Sequence, residues 1–97
     1  MSIRTIAAVA ARSLTDLQGQ YLAFIYAYSK IHRTSPAEAD FQRFFEVSPP
    51  SVHRMVLELE RKGLIRRTPR QARSIELALD PAEVPQLQPI KTTAAKY

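Results

Sequence analysis

Arg61, Lys62, Arg66, Arg67, Arg70 and Arg73 place six positive charges in thirteen residues, with no carboxylate among them. A run of this kind attracts polyanions, and its clustering says more than the chain's total charge. Just upstream, Ser48, Ser51, His53 and Arg54 offer hydroxyls, an imidazole and a guanidinium. An arginine there can donate two bonds to guanine O6 and N7, or one to a phosphate. Catalysis finds less support. The two histidines, His32 and His53, fall in different predicted elements, and no Ser/His/Asp or metal-ligand spacing occurs. Two glycines, Gly19 and Gly63, cannot build a phosphate-cradling loop, and there is no cysteine. The chain reads as a binding protein, with neither enzyme activity nor cofactor expected.

The elements that must position these groups follow from caps and periodicity. Ser48 can cap a helix with Pro49 at its first position, where the missing N–H costs nothing. Val52, Met55, Val56 and Leu59 recur at helical spacing, which turns Ser51, His53 and Arg54 away from the apolar stripe. Gly63 stands where a helix leaves through a left-handed residue. Ile75, Leu77 and Leu79 then alternate with Ser74, Glu76 and Ala78, the pattern of a half-buried strand. A helix over 48–62 with polar groups at its tip, followed by a cationic hairpin over 64–79, is the layout of a winged helix-turn-helix.

Upstream, Thr15-Asp16-Leu17-Gln18 forms a capping box. Leu17, Tyr21, Phe24, Ile25 and Tyr28 then trace one helical face to about residue 31. These aromatics are read as core, with the role of Tyr26 open. Ser35-Pro36-Ala37-Glu38 predicts a second, short helix starting at Pro36, with Ala39, Phe41, Phe44 and Phe45 supplying apolar contacts. The short link to the third helix fits a helix-turn-helix. Leu57, opposite the stripe of the third helix, could cover the first helix or a second chain.

Residues 1–13 form an alanine-rich arm in which Ile3, Ile6 and Val9 are spaced for either a frayed end or a dimerising helix. Residues 80–97 are spaced by Pro81, Pro85 and Pro89. They predict an extended tail, in which Val84, Leu87 and Ile90 can dock on the domain or a partner. The 97 residues suit one small domain, and their net charge of +5 and pI near 10.0 favour a polyanionic partner. The apolar fraction of 45% is that of a globular chain, no apolar run spans a membrane, and the N-terminal IAAVAA patch is short for an export signal. A cytoplasmic setting is expected.

The run from Leu14 to Leu79 resembles the N-terminal DNA-binding domain of the LexA repressor. The matching residues are Leu14-Thr15 with Gln18 or Gln20, Ser35-Pro36-Ala37-Glu38, Ser48-Pro49-Pro50-Ser51-Val52-His53, Leu59-Glu60-Arg61-Lys62-Gly63-Leu64-Ile65-Arg66, and Arg73-Ser74-Ile75-Glu76-Leu77. The resemblance implies a three-helix winged domain that reads a major groove, with recognition-helix contacts on Ser48, Pro50, Ser51, His53 and Arg54. Pro50 stands where the family can carry a polar base-contacting residue, which predicts a different operator. Phe41 to Val47 replaces the family's usual Ile-Ala-x-x-Leu-Gly turn, with Glu46 near the glycine's place. The self-cleaving domain of the full repressor is not expected here, so self-cleavage is not carried over.

The combined expectation is an α+β fold, a three-helix winged helix-turn-helix with a two-stranded β-hairpin wing. It divides into an arm (1–13), a winged domain (14–79) and a tail (80–97). The expected function is sequence-specific binding of double-stranded DNA by a homodimeric transcriptional regulator, since two half-sites supply the affinity that one small domain lacks. Arg54 is the expected base reader, and Ser48 and Ser51 the expected phosphate contacts at the helix start. His53 either touches DNA or packs beside Glu60. On the wing, Arg66, Arg67, Arg70 and Arg73 are assigned to DNA, and Pro69 with no glycine predicts a stiff hairpin. The competing readings are a winged-helix module docking on an acidic protein and an RNA-binding module.

Overall fold

The computed structural model describes residues 14–88, so expectations for the arm, including Ile3, Ile6 and Val9, and for Pro89 and Ile90 lie outside the described residues. The described residues form three helices, a two-stranded antiparallel hairpin and a short 3-10 turn. Helix α1 (Asp16–His32) starts at the capping box: Thr15 Oγ1 accepts from the Gln18 amide at 3.1 Å, and Gln18 Oε1 accepts from the Thr15 amide at 3.2 Å. Its buried face carries Tyr21, Leu22, Phe24 and Ile25, whereas Leu17, expected on that face, is exposed. Gln18 is buried instead, because besides closing the cap it accepts from Lys62 Nζ at 3.1 Å.

Helix α2 spans Glu38–Phe45 and begins two residues later than the Ser-Pro signal predicts. Ser35 does not cap it. Pro36 is fully buried, Ala37 is still extended (ψ 163°), and the Asp40 carboxylate caps the helix by accepting from the Ala37 amide at 2.8 Å. The helix ends through Glu46, at φ 56° and ψ 51°. A glutamate thus adopts the left-handed turn that usually favours glycine, and the turn into α3 survives the departure at this position.

Helix α3 (Pro49–Arg61) follows the sequence closely. Val52, Val56 and Leu59 are fully buried, and the helix stops in a Schellman motif. The Leu64 amide reaches Leu59 O at 3.0 Å, and the Gly63 amide reaches Glu60 O at 2.9 Å. Gly63 takes φ 77°, where glycine has no steric penalty. The wing strands, β1 (Ile65–Arg66) and β2 (Glu76–Leu77), are shorter than the alternation predicts and pair Ile65 with Leu77 and Arg66 with Glu76.

The core is aromatic where α1 meets α2. Tyr21 stacks on Phe45 (centroids 4.5 Å apart) and on Phe41 (5.1 Å), with Phe24 packed beside them. Val52, Val56, Leu59, Leu64, Ile65 and Ile75 continue it toward α3 and the wing. Burial of each large side chain contributes roughly 1.5–3 kcal/mol, and the ring pairs add to that.

The folded unit continues past the boundary drawn at Leu79. After the 3-10 turn (Pro81–Glu83), Val84 and Leu87 pack on the core. Gln20 grips the chain there, donating to Gln86 O (3.0 Å) and accepting from the Gln88 amide (2.7 Å). Gly19 makes room: a Cβ built on it would lie 3.1 Å from the Pro85 ring. No described helix is long and apolar enough to cross a membrane.

Candidate nucleic-acid interface

The start of α3 is more self-contained than its residue types imply. Ser48 Oγ accepts from the Ser51 amide at 3.3 Å and donates to Ser51 Oγ at 2.9 Å. Pro49 and Pro50 have no N–H, and the Val52 amide already bonds Ser48 O at 3.1 Å. The first helical positions therefore leave no free amide for an anion. The expected phosphate site at Ser48 and Ser51 is reduced to the outward hydroxyl of Ser51 and the helix dipole. Pro50 is exposed beside them and can offer only apolar contact.

Further along the same face, Ser51, His53, Arg54 and Leu57 are exposed, opposite the buried stripe. Arg54 has no hydrogen-bond or ion-pair partner among the described residues, so its guanidinium is available. His53 faces Glu38 rather than Glu60, with Nδ1 3.1 Å from Oε2 and 3.4 Å from Oε1. With the proton on Nδ1, His53 donates to Glu38, ties α3 to the start of α2 and presents Nε2 as an acceptor. Glu60 is engaged elsewhere, by Arg67.

The wing arginines are not equivalent. Arg67 Nε donates to Glu60 Oε1 at 3.0 Å, and its side chain is only 18% exposed. Arg66 reaches Glu76 across the hairpin at 3.6 Å, a loose pair exposed on both sides and worth little. Arg73, its side chain 44% exposed, directs one nitrogen at the body of the domain, with Nη1 3.0 Å from Tyr28 Oη, 3.2 Å from Ser35 O and 3.2 Å from Asp40 Oδ2. These internal partners compete with the phosphate contact expected of it. Arg70 alone of the four has no partner among the described residues.

Arg70 also sits at the tip. The Gln71 amide bonds Thr68 O at 3.1 Å, with Pro69 at the second position and Arg70 at the third in the left-handed region, φ 62°. This is the pattern of a type II turn, which favours glycine at that place. Ser74 holds the loop together: its Oγ accepts from the Thr68 amide (2.9 Å) and donates toward Thr68 O and Gln71 O at 3.1 and 3.0 Å.

Between wing, α2 and α3 lies an open cleft of about 370 Å³, lined by His53, Arg67, Arg70 and Arg73 together with Glu38 and Ser74. The fold thus gathers four of the predicted residues at one cleft, with Arg54 exposed on the helix that borders it and Arg66 on the strand side. Asp40, Tyr28 and Glu38 are partners of the predicted residues that residue types alone did not reveal. Burial pushes the Asp40 carboxyl up, but the Ala37 amide, the Tyr28 hydroxyl, Arg73 and Arg43 outweigh it and hold the group below its ordinary value. Among the described residues, no group of three or more His, Cys, Asp or Glu could hold a metal ion.

Residues 13–72 match the family of the iron dependent repressor, N-terminal DNA binding domain. A LexA repressor of Thermosipho africanus is 38% identical over 73 residues, which cover 75% of this chain and 37% of the relative. A LexA repressor of Thermosipho melanesiensis is 38% identical over 66 residues, 68% of this chain and 33% of that protein. The chain spans roughly a third of the length of these curated relatives.

Proposed function

We infer the function from the premise that the chain belongs to the family of the iron dependent repressor, N-terminal DNA binding domain. It binds double-stranded DNA sequence-specifically, without catalysing a reaction, and regulates transcription from the cytoplasm. Helix α3 enters the major groove with Arg54 toward the base edges and Ser51 and His53 at the rim. The wing lies along the backbone, with Arg70 as its main phosphate contact and Arg66 and Arg67 beside it. The observation that carries this reading is that, among the described arginines of α3 and the wing, the guanidiniums without a partner are Arg54 on the exposed helix face and Arg70 at the wing tip. Arg61, Arg66, Arg67 and Arg73 all have carboxylate partners within the protein.

One domain of this kind offers one recognition helix and few phosphate contacts, so regulation at ~10⁻⁸ M calls for two half-sites and hence a homodimer. Selection from random duplexes, followed by anisotropy titrations over a range of salt, tests the reading. Arg54→Ala should lose ~1–3 kcal/mol and relax preference at one base position per half-site. Binding of duplex DNA that does not respond to salt would remove the DNA reading and favour a module docking on an acidic protein.

A further inference from the structure

We propose that Arg73 is a positioning residue: it pins the wing to α1 and α2 so that Arg70 meets the DNA backbone, and does not itself contact DNA. This rests on the DNA reading above. Its basis is the way the wing is attached. The hairpin ladder has two residue pairs, Ile65 with Leu77 and Arg66 with Glu76, extended by the bond from the Ala78 amide to Leu64 O at 2.9 Å. Ile75 packs in the core beside it, but apolar packing is non-directional and does not set an angle. The tip from Thr68 to Ser74 is one unit, closed by the three Ser74 hydroxyl bonds. Such a unit, held at its base by a minimal ladder, swings as a whole unless something else fixes it.

Arg73 supplies that second attachment. Its backbone is held at φ 57°, a conformation costly for a side-chain-bearing residue and sustained where the surroundings demand it. From there Nη1 reaches Tyr28 on α1, the Ser35 carbonyl ahead of α2, and Asp40 within α2. Asp40 is itself immobilised. Its side chain is 8% exposed, Oδ2 caps α2 through the Ala37 amide, and Oδ1 pairs with Arg43. The acceptor for the wing is therefore part of the helix-turn-helix that carries α3, and the angle between wing and α3 is set through Asp40.

A direct contact and a pin predict opposite signs for one substitution. Asp40→Asn removes the negative charge that pairs with Arg73. If Arg73 touched phosphate, that change would release it and tighten binding. If Arg73 is a pin, Asp40→Asn weakens binding, as Arg73→Gln does, because Arg70 loses its place. Loss of one phosphate contact amounts to about eightfold in affinity at 0.1 M salt, which bounds the effect per domain. Arg73→Gln should add nothing further in an Arg70→Ala background.

The experiment measures Kd against salt for the parent, Arg73→Gln, Asp40→Asn and Tyr28→Phe, with hydrogen exchange of the Ala78 amide, at the base of the wing, in the free proteins. Tyr28→Phe keeps every charge and cap, so it serves where Asp40→Asn fails to fold. The expected result is weaker binding and faster wing exchange in each variant, with protection of Val56 and Leu59 unchanged. Tighter binding by Asp40→Asn, or a slope lowered by Arg73→Gln regardless of Arg70, would overturn the pin in favour of a contact. A parent that shows no salt-dependent DNA binding would overturn the functional reading. The exchange data then judge the pin separately, and unchanged Ala78 exchange in Arg73→Gln refutes it.

Discussion

Replacing Arg70 by glycine should make the protein more stable and a poorer DNA binder at once. Arg70 holds φ 62° at a turn position suited to glycine. A side chain in that region costs roughly 1–2 kcal/mol. Glycine returns about 0.5–1 kcal/mol of this through the greater freedom of its unfolded chain. The net gain is then ~0.5–1 kcal/mol, or about 2–8 °C in Tm for a domain of this size. The binding side is set by counterion release. One lost phosphate contact lowers the slope of log affinity against log salt by ~0.9 per bound domain, about eightfold in Kd at 0.1 M. Arg70→Ala is the control, since it removes the same charge and keeps the left-handed backbone. Calorimetry and anisotropy over a salt series would read both effects. A glycine variant no more stable than the alanine variant would refute the strained turn. Equal binding by parent and both variants would refute the assignment of Arg70 to phosphate.

Val56→Asp should unfold the domain, because Val56 is fully buried and an unpaired carboxylate costs several kcal/mol against a total of roughly 5; a native circular dichroism spectrum would contradict this. Gly19→Leu should displace the docked segment, because even a Cβ lies 3.1 Å from Pro85, and exchange of the Gln88 amide should rise. Stability should fall with acid. Asp40 has a lowered folded-state value, so its contribution is full above the ordinary carboxylate range and is lost as pH drops through the folded value. Thermal melts from pH 7 to 2 should show a smaller acid loss in Asp40→Asn, and an identical loss would place the sensitive group elsewhere.

The recognition helix was readable from sequence because its signals are local: Ser48, Pro49, the Val52–Val56–Leu59 stripe and Gly63 each act within a turn or two. The start of α2 was not, because Ser35-Pro36 looks like a cap while the operative cap is Asp40, reaching back to Ala37. Leu17 illustrates the same limit, since periodicity gives a face but not its edges. The charged residues were legible as a cluster and illegible as individuals. Arg67 finds Glu60 seven residues away, and Arg73 finds Asp40 across 33, so only the fold shows which cations are left for a ligand. The wing lacks glycine, which made a stiff hairpin plausible, yet the positive backbone angles fall on Arg70 and Arg73 instead.

Helix α1 touches the wing, the end of α3 and the docked segment after it. Tyr28 receives the wing, Gln18 receives Lys62 at the end of α3, and Gly19 with Gln20 seats the segment around Gln86. In an assembly measured part from part, tolerances accumulate along the series. Here these parts share one datum, so a small displacement of the wing does not propagate through α1 into the seat of Gln86. The corollary is an uneven tolerance to change: altering one attachment shifts one part, whereas bending α1 shifts the reference for all of them.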